Sequence, residues 1–107
     1  MRIAFASSGK GGLDDVVSER FGRCPTFTIV DVENGEIKKV SVIANPGVRA
    51  AGGAGVKASQ TLIDNSVDVV VAGRFGPNAM ALLQGLGIRT VQMPPIKIKE
   101  AIKRMLG

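Results

Sequence analysis

The segment VDVVVAG, residues 67–73, constrains the fold of this 107-residue chain more than any other segment. A strand with one solvated face alternates apolar and polar residues, whereas this run is apolar almost throughout. Near-continuous apolar strands are typical of parallel sheets that helices cover on both faces. We therefore predict an α/β fold in which this strand lies at the centre of the sheet.

Four further segments have the composition of strands, and they flank the central run on both sides. They are residues 2–6, 26–32, 37–45 and 88–93. The dipeptide Asn34-Gly35 stands between the second and the third, and it is the strongest short-range signal for a hairpin turn. The chain is therefore expected to begin with an antiparallel meander.

Three helices are predicted from the spacing of apolar residues. The first starts at about Ala54 after a glycine-rich approach, the second starts near Pro77, and the third lies within residues 96–106. The long connection after the first strand has no sustained period. One helical turn could form within residues 13–22, with three apolar side chains facing the core: Val16, Val17 and Phe21.

The element order β, β, β, α, β, α, β, α limits the topology. Right-handed crossovers place the fourth strand beside the first. We predict one domain over residues 1–107 with three layers, in which a mixed five-stranded sheet of order 3-2-1-4-5 carries helices on both faces. Strand two is antiparallel to its neighbours. This arrangement is that of the ribonuclease H-like architecture.

Composition and charge exclude several classes of site. The chain has no histidine and a single cysteine, so a tetrahedral zinc cage and an internal disulfide are excluded. The net charge of +5 favours an anionic partner, but the absence of Trp and Tyr leaves few rings for base stacking and disfavours nucleic acid. No apolar run is long enough to span a bilayer and no signal peptide is recognised, which predicts a cytoplasmic protein.

The segment SSGKGGLDD, residues 7–15, resembles the first half of a deviant Walker A loop. Residues 10–12 match its Lys-Gly-Gly, but Asp14 and Asp15 put negative charge where phosphates would sit. We therefore reject a nucleotide-hydrolysing loop, and we expect a flexible, amide-rich rim to a binding crevice. The two aspartates are interpreted as solvated loop charge or as a helix N-cap.

Ligands of such sheets bind beyond the carboxyl ends of the strands where the connections diverge, here between strands one and four. Three segments converge there, namely residues 7–25, 52–55 and 73–77. Helix-start amides and guanidinium groups donate hydrogen bonds to anions. We predict an anion site formed by nine residues: Ser8, Gly9, Arg20, Arg23, Cys24, Gly53, Gly55, Arg74 and Gly76.

Cys24 has two interpretations. The neighbouring arginines would favour its thiolate, which could ligate a soft metal or a metal sulfide. Alternatively, a single cysteine is a small buried side chain that packs in the core.

Motifs along nearly the whole chain carry a family resemblance. They are IAFASSG, VSERFGRCPTFTIVD, NP, GGAG and VDVVVAGRFGPNAMALLQGLGIRTV. In order and spacing they resemble the dinitrogenase iron-molybdenum cofactor biosynthesis family. The resemblance implies a small ribonuclease H-like domain that binds or carries iron-molybdenum and related metal-sulfur clusters without catalysis. It also implies assembly or acceptor proteins as partners. We expect the chain to be a monomer or a weak homodimer.

Several cluster-handling members carry histidine before the Phe-Gly-Arg motif, and this position is Arg20 here, so ligation by histidine is not carried over.

Two functions stay open. In the first, amides, arginines and Cys24 hold an anionic cluster. In the second, the fold binds another anion, a protein partner or nucleic acid through its basic surface. A nuclease is disfavoured because the first strand has no acid and Asp68 begins the fourth strand rather than ending it.

Overall fold

The computed structural model describes all 107 residues and contains five strands and three α-helices. The strands are β1 (Arg2–Ser7), β2 (Thr26–Glu33), β3 (Glu36–Ala44), β4 (Val69–Ala72) and β5 (Arg89–Gln92). The helices are α1 (Ala54–Asp64), α2 (Pro77–Gly85) and α3 (Ile98–Leu106), and a short 3-10 helix at Pro46–Arg49 follows β3. None of the three α-helices has the length and apolar character needed to cross a membrane.

The five strands form one mixed sheet in the order β3-β2-β1-β4-β5. β2 is antiparallel to both of its neighbours, whereas β1, β4 and β5 are mutually parallel. The predicted strand order and orientation are therefore confirmed. The ribonuclease H-like assignment of this architecture stays a prediction.

Helices cover both faces of the sheet, and the central strand shows why its sequence is apolar throughout. Val70 and Ala72 of β4 belong to the core on the side of α1 and α2. Val69 and Val71 belong to the core on the side of α3. Because successive side chains point to opposite faces and both faces are buried, every position of this strand requires an apolar residue.

Two turns have left-handed backbone, and the first of them confirms the hairpin predicted at Asn34-Gly35. Asn34 and Gly35 have φ angles of 52° and 76°, which is the conformation of a type I′ hairpin turn. Gly87 has a φ of 77° after α2, and the N–H of Ile88 donates to the carbonyl of Leu83 at 3.0 Å. This is the Schellman arrangement that ends many helices.

The connection between β1 and β2 contains no helix, so the helical turn predicted within residues 13–22 is wrong. Val17 forms an isolated backbone bridge with Ser7, and Val16 forms one with Lys97. Val17 is fully buried, as predicted, whereas Val16 is half-buried. Backbone pairing with distant segments satisfies the N–H and C=O groups that a helix would satisfy locally.

The connection and the end of β4 approach each other closely at Gly73. The N–H of Gly73 donates to the carbonyl of Ser18 at 2.9 Å. A Cβ atom at Gly73 would lie 2.7 Å from the Cα of Glu19, closer than van der Waals contact permits. A backbone atom cannot move aside as the end of a flexible side chain can. Glycine at this position is therefore what allows the connection to lie against the strand end.

We expect Gly73→Ala to lower the free energy of unfolding by about 1–3 kcal/mol, the usual cost of forcing extra volume into a packed site. Urea denaturation followed by far-UV circular dichroism measures this. The matched control is Gly85→Ala in α2, where an added Cβ meets nothing within 4 Å. Alanine favours a helix by up to about 1 kcal/mol over glycine, so the control should be neutral or stabilising. Equal stability of the two variants would contradict the close approach.

Candidate functional site

Two copies of the tripeptide Arg-Phe-Gly, residues 20–22 and 74–76, lie side by side at the carboxyl end of the sheet. Arg20 and Arg74 form a parallel backbone bridge. Phe21 and Phe75 come directly after these arginines, and the centroids of their rings lie 5.2 Å apart. We call this pair of segments the Arg-Phe-Gly repeat.

An open cavity of about 340 Å³ lies over the Arg-Phe-Gly repeat, and we call it the arginine crevice. Six residues line it: Arg20, Gly22, Arg23, Arg74, Phe75 and Gly76. It lies beyond the carboxyl ends of β1 and β4, where ligands of open α/β sheets bind. Gly22 and Phe75 are not among the residues predicted from the sequence, and the repeated tripeptide is the signal that identifies them.

Two further cavities open beside the arginine crevice and share residues with it. The first is lined by Ser8 and shares Arg20 and Arg23. The second shares Arg74. Glu19 lines both of these cavities and is the one carboxylate among the residues that line the three. The combined trough therefore carries more positive than negative charge.

The three arginines of the crevice have no carboxylate partner. All four salt bridges of the protein lie elsewhere. Arg23 donates through Nη1 to the carbonyl oxygen of Ala50 at 2.7 Å, which holds its guanidinium on the rim. Arg20 and Arg74 are exposed side by side. Uncompensated positive charge of this kind attracts anions.

The N-termini of α1 and α2 lie together beside the crevice. A Cβ atom on Gly55 would lie 3.2 Å from the Cβ of Ala79, and one on Gly22 would lie 3.0 Å from the amide nitrogen of Gly55. The N-cap residues are Gly53 and Gly76, and no side chain caps either helix. The first-turn amides have no intrahelical acceptor, and the helix dipole favours negative charge at this end.

The structure brings most of the predicted site residues together. Five of them line the arginine crevice or the adjoining cavities: Ser8, Arg20, Arg23, Arg74 and Gly76. Gly55 packs against Gly22 at the edge of the crevice. Gly53 caps α1 but lines none of the cavities. The remaining two, Gly9 and Cys24, line none of the cavities, and their polar groups are hydrogen-bonded to other residues of the chain.

Cys24 lies in the core and is only 1% exposed. Its thiol donates to the carbonyl oxygen of Phe21 at 3.3 Å, and Asn45 Nδ2 donates to the sulfur at 3.6 Å. Burial raises the pKa of the Cys24 thiol to about 12. The expectation that neighbouring arginines favour a thiolate is therefore wrong, because desolvation disfavours the charged form by more than the hydrogen bonds to the sulfur favour it. Cys24 packs as a small buried side chain rather than lining the crevice.

Asp15 occupies the cluster of amides in the glycine-rich loop. Its carboxylate accepts hydrogen bonds of 2.7 to 2.9 Å from three backbone amides, those of Gly9, Gly11 and Val16. The amide of Gly12 donates to the hydroxyl of Thr28 at 3.0 Å. The amides of Gly9, Gly11 and Gly12 are therefore not available to form the expected amide-rich rim, since the protein's own side chains already take the donors that an external anion would need.

We expect Asp15→Ala to lower the free energy of unfolding by about 1–3 kcal/mol, because it leaves three amides without their charged acceptor. Hydrogen exchange at Gly9 and Gly11 should also accelerate. The control is Asp14→Ala, which removes one exposed ion pair with Lys99 at 3.1 Å and should destabilise the fold much less than Asp15→Ala does. An equal loss in both variants, or unchanged exchange in Asp15→Ala, would show that the carboxylate does not order the loop.

The raised pKa of Cys24 predicts slow labelling and a pH-dependent stability. Native Cys24 should react with a disulfide reagent at pH 8 only as fast as the protein opens, whereas urea-unfolded chain should react at once. The folded pKa of about 12 exceeds the ordinary value of 9.0. The contribution of the protonated thiol to the free energy of unfolding is therefore complete below pH 9 and declines as pH rises towards 12. To measure this decline, the free energy of unfolding is determined against pH for the wild type and for Cys24→Ala, and only the wild type should lose this contribution. Immediate labelling of the native protein would contradict the buried placement.

Comparison with known proteins places these features in a family. The sequence profile of the family described as dinitrogenase iron-molybdenum cofactor matches residues 1–107. An uncharacterized protein of Methanocaldococcus jannaschii is 33% identical over 90 residues, which is 84% of this chain and 76% of that protein.

Two solved structures of similar sequence share the fold. The apo form of the orange protein from Desulfovibrio gigas has a TM-score of 0.88 and 32% identity, over 98% of this chain and 86% of that one. A candidate NifB protein from Thermotoga, solved by NMR, has a TM-score of 0.79 and 33% identity, over 97% of this chain and 85% of that one. Because the family profile matches the whole chain, the chain belongs to the dinitrogenase iron-molybdenum cofactor family.

Proposed function

We propose that the arginine crevice binds an anionic iron- or molybdenum-containing metal-sulfur cluster as cargo, and that the chain carries this cargo without transforming it. The observation that supports this most is the Arg-Phe-Gly repeat, which holds Arg20 and Arg74 side by side without a carboxylate partner. Like charges held together repel each other, and a multiply charged anion beside them relieves that repulsion. Membership of the iron-molybdenum cofactor family supports the identity of the cargo.

The donor set suits a cluster that is held by charge and hydrogen bonds. The guanidinium groups and the first-turn amides of α1 and α2 would donate to sulfide or oxo groups on the surface of the cluster. Phe75 adds an apolar wall. No group of three His, Cys, Asp or Glu side chains forms a metal site, and the Cys24 thiol lies in the core. The cargo would therefore arrive assembled, with its own sulfide ligands.

The same residues favour carriage over catalysis. The crevice is open at the surface, so a bound cluster could pass to an acceptor protein without a large rearrangement. The chain has no histidine, and Glu19 is the one carboxylate of the trough, so the site offers no pair of general acid and base groups. We infer a role in metallocofactor assembly, with donor and acceptor proteins as partners.

The test is anaerobic incubation with tetrathiomolybdate, a dianionic molybdenum-sulfur probe, with and without ferrous iron, followed by desalting and elemental analysis. We expect near-stoichiometric molybdenum on the wild-type protein. Arg20→Ala and Arg74→Ala should each bind roughly ten- to hundredfold more weakly, since a charge-assisted hydrogen bond contributes about 1.5–3 kcal/mol. The matched control is Arg89→Ala, which removes an exposed arginine at the start of β5, outside the crevice.

Three outcomes separate the possible sites. Cys24→Ala should retain the probe as the wild type does, and loss of molybdenum from a folded Cys24→Ala protein would make the thiol a ligand. Equal retention by Arg20→Ala, Arg74→Ala and Arg89→Ala would contradict the role of the crevice. Retention of molybdate or phosphate in place of tetrathiomolybdate would keep the crevice as an anion site but contradict the proposed cargo.

A further inference from the structure

β3 is an edge strand whose exposed residues on one face are apolar. Ile37, Val40 and Val42 are 42%, 37% and 42% exposed. Their partners on β2 lie on the face of the sheet that α3 covers. An edge strand with a solvated face usually carries polar residues there, so three exposed β-branched side chains call for a covering surface. We call these three residues the apolar strip.

α3 leaves an open groove beside the apolar strip. The helix packs over the centre of the sheet, where Ile98 and Ile102 contact the core formed with β1 and β4. A cavity of about 560 Å³ remains between α3 and the β2–β3 hairpin, and Ile37, Ile102 and Leu106 are its apolar lining residues. Leu106 is itself 37% exposed. The groove and the strip together form one apolar surface.

The charges around this surface indicate what covers it. Both signs are present in near balance, as three exposed ion pairs: Lys38 with Glu36 at 3.2 Å, Lys99 with Asp14 at 3.1 Å and Lys103 with Glu100 at 3.4 Å. The whole chain carries +5, so two copies repel each other elsewhere but meet little repulsion here. A strongly acidic partner would instead be repelled by the three carboxylates of these ion pairs. The balance favours a second copy of the chain.

We propose that two copies associate face to face through the apolar strip, about a two-fold axis that passes near Val40. Val40 lies between Ile37 and Val42, so an antiparallel arrangement sets Val40 against itself and Ile37 against Val42 of the second copy. Lys38 is the extra residue of a β-bulge, which disfavours direct pairing of the two free strand edges. The strip shares no residue with the arginine crevice.

Disulfide trapping of Val40→Cys tests the axis directly. The native Cys24 is buried, so the introduced thiol is the exposed one. At millimolar concentration and under mild oxidation, Val40→Cys should form a disulfide-linked dimer, because the two-fold axis brings this position against itself. The matched control is Val56→Cys on α1, a position that is 44% exposed outside the strip and should stay monomeric. Equal crosslinking of the two variants would overturn the proposal.

Sedimentation equilibrium of the unmodified chain tests the association without a crosslink. The apparent mass should rise with concentration towards twice 11.1 kDa. Val40→Glu should raise the dissociation constant at least about tenfold, because it places two unpaired carboxylates at the axis. Unchanged circular dichroism of this exposed-site variant would show that the fold is intact. A mass of 11.1 kDa at every concentration would overturn the proposal, and a different partner would then have to cover the strip.

Discussion

The site depends on backbone pairing between the connection after β1 and the end of β4. The N–H of Gly73 donates to Ser18, and the N–H of Phe21 donates to the carbonyl of Arg74 at 3.1 Å. These bonds extend the parallel sheet beyond its regular strands and set the Arg-Phe-Gly repeat in register. Without them, the crevice arginines would lie on independent loops and mutual repulsion would separate them. The fold thus holds like charges side by side at one cavity.

The protein contains two clusters of donors that could attract an anion, and only one is available to a ligand. In the glycine-rich loop, the Asp15 carboxylate accepts the amides of Gly9 and Gly11. In the crevice, the guanidinium groups of Arg20 and Arg74 have no carboxylate partner. A loop whose sequence begins like a phosphate-binding motif is therefore a closed structural element, and the uncompensated charge lies at the end of the sheet.

How much the sequence predicts depends on how local each interaction is. The apolar run of β4 and the Asn34-Gly35 turn are determined by burial and by backbone sterics, so strand order and the hairpin could be predicted. The apolar residues of the connection between β1 and β2 have no regular spacing, because its backbone is paired with distant segments of the chain. The pKa of Cys24 could not be predicted either, since it is set by burial among residues that lie far apart in the sequence. Arg20, Arg23 and Arg74 could be placed because the carboxyl ends of neighbouring parallel strands meet at one edge of the sheet.

We propose that the arginine crevice, and not the glycine-rich loop or Cys24, receives an anionic cluster. The most direct measurement is an anaerobic NMR titration of ¹⁵N-labelled protein with tetrathiomolybdate. Binding in the crevice should shift the amide resonances of residues 20–22, 74–76 and the first turn of α1 together, while those of Gly9 and Gly11 stay in place. Shifts centred on residues 9–12, or on the core around Cys24, would contradict it.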